Sequence, residues 1–284
     1  MTTRERVKKD ACVAKPIHLA YALSGDASAA MFPRTIVLVE PGARVTLIET
    51  FGGPAGVDYQ VNAALDLVVG NGATVERIKI GAESAAALHI STVTARIGAK
   101  ASYRELTFTT GGAVTRNQLF LRCAGEGSVV RIAGANLLED RQHVDSTLVL
   151  DHAARGCESR EVFKSVLEDE SRAVFQGKIV VQPQAQKTDG KMMTQALLLS
   201  EKAEADNKPE LEIFADDVQC GHGATAGDLD EDLLFYLMAR GIARPQAEAL
   251  LIQAFVGEAI DGVGHEGVRD MLSGRVAAWL EGRG

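Results

Sequence analysis

Aromatic residues make up only 5% of this 284-residue chain, and there is a single tryptophan. That scarcity argues against a carbohydrate enzyme, which needs aromatic platforms beside paired acids in an exposed groove. The four cysteines, Cys12, Cys123, Cys157 and Cys220, lie far apart with no CxxC pair. A disulfide framework and a sequence-local zinc or redox motif are therefore excluded. No apolar run approaches the length of a membrane-spanning helix, and the opening segment MTTRERVKKDACVAK lacks the apolar core of a signal peptide, so a cytosolic chain is expected. No run of Lys or Arg offsets a net charge of −8, which argues against a nucleic-acid partner. There is no GxxxxGK[ST], GxSxG or HExxH, and the glycine-rich stretches do not open helices as phosphate cradles do. Any use of ATP is assigned to a partner.

What is present is an ordinary globular balance, 46% hydrophobic and 24% charged, with 28 glycines. From about residue 35 to 215 one local grammar repeats: a glycine or charged turn, then a short β-branched run. Gly42, Gly72, Gly98 and Gly127 mark four such turns, 30, 26 and 29 residues apart. Alternation within the runs, as in Val45 and Leu47 against Thr46 and Ile48, predicts strands. Short turns in place of helical crossovers suit a β-helix-like solenoid that stacks coil on coil. A two-sheet sandwich or jelly roll fits the same pattern.

The grammar changes after Gly227. Asp228 or Asp230 is placed to cap a helix carrying Leu233, Leu234, Tyr236 and Leu237 and stopping before Gly241. Pro245 suits the first turn of a second helix, with Ala247, Leu250, Leu251, Ala254 and Phe255 on its apolar face. A third helical stretch runs from His265 to Leu280. The expected division is an N-terminal tail (1–15), a β core (16–227) and a helical module (228–284). The module either caps the open end of a solenoid or docks a partner.

Two clusters can carry chemistry. Cys220 and His222 are two apart, so on a strand they share a face, and a thiolate with an imidazole suits iron or zinc. Two ligands do not complete a tetrahedron, so the rest must come from another segment or subunit. The second cluster is Glu139, Asp140, His143 and Asp145, followed by His152 and Cys157. It reads as acid-base or metal chemistry, or as a polar ladder between coils, and the ladder is preferred because no nucleophile with an oxyanion hole lies nearby.

Longer motifs carry a resemblance. Gln186-Lys-Thr-Asp-Gly190, Leu197-Leu-Leu-Ser200, the unbroken block from Lys208 to Thr225 ending Cys220-Gly-His-Gly-Ala-Thr225, then Leu234-Phe-Tyr-Leu237 and Arg240-Gly-Ile242 are similar to the SufB/SufD family of iron-sulfur cluster assembly scaffold proteins, on its SufD-like side. Lys15-Pro-Ile-His18, Gln142-His-Val-Asp145, His152, Ser159 and Gly177-Lys-Ile-Val180 resemble the same family, so the match spans nearly the whole chain. Lys191-Met-Met193 departs from its more polar pattern. The resemblance implies a right-handed parallel β-helix core and a C-terminal helical segment that docks the ATPase SufC. It also implies a heterodimer with a SufB-like subunit, a homodimer being the alternative. Cys220 and His222 then lie at the partner interface, sharing iron or a nascent cluster that is not held permanently, in a subunit that is not itself an enzyme. Such relatives usually carry a further N-terminal helical region, so a truncated form or a misassigned start is expected. The competing classes are a β-helix polysaccharide enzyme and a metal-dependent jelly-roll enzyme.

Overall fold

The computed structural model describes residues 2–283. Its strands are β1 (Thr2–Val7), β2 (Ile17–Ala22), β3 (Ala29–Met31), β4 (Arg34–Val39), β5 (Arg44–Gly52), β6 (Tyr59–Val69), β7 (Thr74–Gly81), β8 (Leu88–Ile97), β9 (Ser102–Thr109), β10 (Val114–Cys123), β11 (Val129–Leu138), β12 (His143–His152), β13 (Glu158–Leu167), β14 (Arg172–Val181), β15 (Asp189–Leu198), β16 (Glu204–Ile213) and β17 (Gln219–Gly227). All named pairings are parallel, and from β4 onward the even strands form one sheet and the odd strands the other. Each coil therefore gives one strand to each sheet. Val114 pairs with His143 and His143 with Arg172, so one coil takes 29 residues there. This is a β-solenoid of about eight turns, a parallel β-helix; the sandwich and jelly roll are excluded because their strands run antiparallel. Residues 1–15, expected to be a tail, include β1, which extends the first sheet by pairing with β4.

The corners explain the glycine rhythm. Gly42, Gly72, Gly127 and Gly156 occupy the left-handed region at four of the five corners from Gly42 to Gly156, where a side chain is strained. The third corner corrects the sequence reading. Lys100, at φ 54°, takes the left-handed position, whereas Gly98 lies two residues earlier, so the irregular 26-residue step came from matching the wrong residue. At the later corners Lys187 replaces glycine on one side and Asp140 and Asp169 serve the other, which hides the period from a glycine count.

Three helices follow the last strand: α1 (Glu231–Met238), α2 (Arg244–Ile260) and α3 (Glu266–Glu281). The Asp230 carboxylate accepts from the backbone of Asp232 and Leu233, Pro245 falls in the first turn of α2, and the His265 ring caps α3. The helices do not cap the solenoid's end, as one of the two sequence readings had it. Ile252, Val256, Ala259, Leu272 and Val276 pack on the outward face of the odd-strand sheet, against Ile78, Ile80, Leu106, Phe108, Leu137 and Val166. Lys164 reaches outward from β13 to Glu258 at 2.5 Å, and Arg283 grips Glu168 at 2.7 Å. Burying this apolar face on the flank wins over covering an edge, because removing large aliphatics from water contributes about 1.5 to 3 kcal/mol per side chain. None of the described helices is long and apolar enough to cross a membrane.

Candidate functional site

Because alternate residues of a strand face opposite ways, the parallel register decides which side chains meet. On β17, Cys220 aligns with Gly190 and His222 with Met192 of β15, and Gly190 and Met192 both face the interior. Cys220 and His222 therefore continue the inward row of the odd-strand sheet. β17 ends its sheet and β16 ends the other, so among the described residues no further coil lies beyond them. Cys220 is half-buried against the core, and His222 is exposed. Burial raises the Cys220 thiol pKa, and the carboxylates of Asp189 and Glu161 add to that against a hydrogen bond from the Gly190 backbone. The thiol is protonated at neutral pH and must release its proton to bind a metal.

The second sequence cluster divides between the two faces of β12. His143 and Asp145 face outward, where Asp145 approaches Arg116 of the neighbouring coil at 3.9 Å and accepts from Thr147 at 3.3 Å. That half is a polar ladder, as preferred. His152 faces inward, fully buried, with its Nε2 3.0 Å from the Ser159 hydroxyl. Cys157 is buried beside it and accepts from the Ser128 hydroxyl at 3.2 Å. The carboxyl of Glu161, also buried, has its pKa pushed up to about 8, because desolvation disfavours its charged form.

A further set of interior groups was not singled out from the sequence. Arg77 pairs with both Glu49 and Glu105 on adjacent coils, and the Tyr103 hydroxyl donates to Glu105. Lys79 donates to Ser91 at 2.8 Å and also to Asn117. His89 lies 2.7 Å from Glu83. These side chains fill the tube at its N-terminal half, while Leu65, Leu67, Leu119, Leu121, Leu148 and Leu150 fill it alongside. The signal for them was Val75-Glu-Arg-Ile-Lys-Ile80, in which Ile78 and Ile80 look inward-facing on sequence yet point outward beneath α2 and α3, while Val75 faces in with Arg77 and Lys79.

Residues 21–255 match the family model described as SUF system FeS cluster assembly, SufBD core domain. The chain is 33% identical over 99% of its length to the iron-sulfur cluster assembly protein SufD of Escherichia coli, covering 67% of that protein. It is 34% identical over 94% of its length to the chloroplastic protein ABCI7 of Arabidopsis thaliana, covering 58% of it. A SufBD family protein of Synechocystis is 33% identical over 87% of the chain, which spans 57% of that relative. The chain thus spans about two thirds or less of the length of these relatives. With a parallel solenoid, a matched core domain and relatives named for cluster assembly, the chain belongs to the SufB/SufD family of iron-sulfur cluster assembly proteins.

Proposed function

We propose that this chain is a non-catalytic scaffold subunit that pairs with a SufB-like subunit through the open end of its solenoid and builds iron or a nascent cluster as cargo at that seam. The observation that carries the reading is the terminal coil. β16 and β17 both present an edge, and β17 places an exposed imidazole and a half-buried thiol in the row that the next coil would cover. An unpaired edge is a template for another chain, and strand addition is an established mode of association. Cys220 and His222 supply two ligands, and the sister subunit supplies the others, since two donors leave a tetrahedral site incomplete.

The second contact is α1. Leu233, Phe235, Tyr236 and Met238 are exposed, Phe235 by 74%, on a helix whose buried residue is Leu234. Contiguous exposed aromatics of this kind mark protein contacts, and this helix is the docking element for a SufC-like ATPase, where ATP hydrolysis takes place. The assembly works in the cytosol and needs neither nucleic acid nor membrane.

Co-expression with SufB-like and SufC-like proteins, followed by purification on a tag carried by this chain, tests the reading. Both companions co-purify if it holds, and a homodimer alone overturns the pairing. His222→Ala is expected to leave the complex intact and to lower cluster yield in anaerobic reconstitution. Unchanged yield removes the imidazole from the site.

A further inference from the structure

The corner where β10 and β12 end and the chain turns toward β11 and β13 holds a second set of soft donors, set back inside the tube. Cys123 and His152 are register partners at the ends of β10 and β12. Cys157 lies in the following turn, and one ligand atom from each of the three lies within 4.8 Å of the other two. None of the three is more than 1% exposed. Ser128 donates to the Cys157 sulfur and Ser159 engages His152 Nε2, so hydroxyls from β13 and from the corner before β11 orient two of the donors.

Two unmet polar groups accompany this trio. His152 Nδ1 has no partner, and neither carboxylate oxygen of Glu161 has one, although both residues are buried. A buried polar atom left unpaired costs about 1 to 3 kcal/mol. A packed cysteine behaves as a small hydrophobe and explains the sulfurs alone. It leaves the imidazole nitrogen and the carboxyl unexplained, whereas a bound cation engages the soft donors directly.

We propose that Cys123, Cys157 and His152 form an internal binding site for a thiophilic divalent cation of the zinc or ferrous type, distinct from the edge pair Cys220 and His222. Three protein donors leave one position of a tetrahedron open, the arrangement of a site that exchanges its ion or takes an exogenous ligand. Binding takes both sulfurs as thiolates, and any thiol proton they still hold is released to solvent. The corner also communicates with the edge coil. A Cβ added at Gly190 would lie 3.7 Å from both the Cys220 sulfur and His152 Nε2, and 3.3 Å from the Ser159 hydroxyl. Glycine there leaves this space clear of a side chain, between the interior donors and the open end. The site stands on its own donors and does not require a sister subunit.

The test uses the chain alone, reduced and anaerobic, titrated with cobalt(II) as the probe. Expected are thiolate-to-cobalt charge-transfer bands and tetrahedral d–d bands that saturate at one equivalent. They should persist in the Cys220→Ser/His222→Ala double variant and vanish in Cys157→Ser and in His152→Gln, with circular dichroism confirming that each variant is folded. X-ray absorption of the zinc-loaded wild type gives a readout free of mutation: two sulfurs and one imidazole nitrogen in the first shell. The proposal is overturned if the folded wild type shows no charge-transfer band, or if the bands survive Cys157→Ser and are lost in the double variant. One sulfur by absorption, or two missing free thiols from a Cys123–Cys157 disulfide, overturns it as well. Failure of the chain to retain a SufB-like partner leaves these outcomes unchanged, so the two readings fail separately.

Discussion

Cys123 and His152 lie 29 residues apart in sequence and directly opposite each other on neighbouring coils, both facing into the solenoid. One turn of the repeat is what joins them. Ser128 and Cys157 are spaced by the same 29 residues and meet at 3.2 Å. The period therefore specifies side-chain neighbours as well as backbone stacking.

The Gly190 position tests how tightly that corner is packed. Gly190→Val places branched carbons against the Ser159 hydroxyl, His152 and Cys220, and overpacking of this kind costs about 1 to 3 kcal/mol. Gly190→Ala, whose closest contact is 3.3 Å, is expected to cost less. Urea denaturation of the two variants provides the check, and equal midpoints would show the space to be wider than the geometry gives.

Arg77 holds two buried carboxylates. Arg77→Met leaves Glu49 and Glu105 as uncompensated charges in the interior and should lose about 3 to 5 kcal/mol. Adding Glu49→Gln and Glu105→Gln to the same chain should recover much of the loss. A triple variant no more stable than Arg77→Met would assign the defect to packing instead.

Lys79 provides a pH signature. Its ammonium has a pKa lowered to about 7, chiefly by desolvation and then by Arg77. Between that value and the ordinary lysine range the unfolded chain binds a proton that the folded chain does not, so this group makes stability rise with pH across that window. Lys79→Met removes the dependence. Relative to wild type, the variant should gain most at and below pH 7, and the gain should shrink toward pH 10. Thermal melts at matched ionic strength would reveal it, and a gain independent of pH would exclude the titration.

On α1, Phe235→Ser with Tyr236→Ser should leave unfolding within about 0.5 kcal/mol of wild type, because both rings are solvent-exposed. The same pair is expected to abolish retention of a SufC-like ATPase in pull-downs. Undiminished retention would move the docking surface away from this helix.

The edge pair was legible in sequence because Cys220-Gly-His222 follows the period of two and the motif is long. His152 and Cys157 were visible as residues of interest, but Cys123 was not joined to them, since the join requires the coil length, and Lys100 and Lys187 at left-handed corners blur that length. The flank position of α2 and α3 was not legible either. An amphipathic helix declares that it has an apolar face, not which surface will receive it.

Composition, turn spacing and alternation by themselves determined a stack of short strands with a helical appendage, because local backbone preference and period suffice for that. Only the tertiary structure decided which row of each strand faces the tube. In β7 the apolar Ile78 and Ile80 point outward beneath α2 and α3, while Arg77 and Lys79 point in, paired across coils. Both faces of that strand are buried, so hydrophobic pattern alone carries no sign of direction, and neighbours distant in sequence settle it.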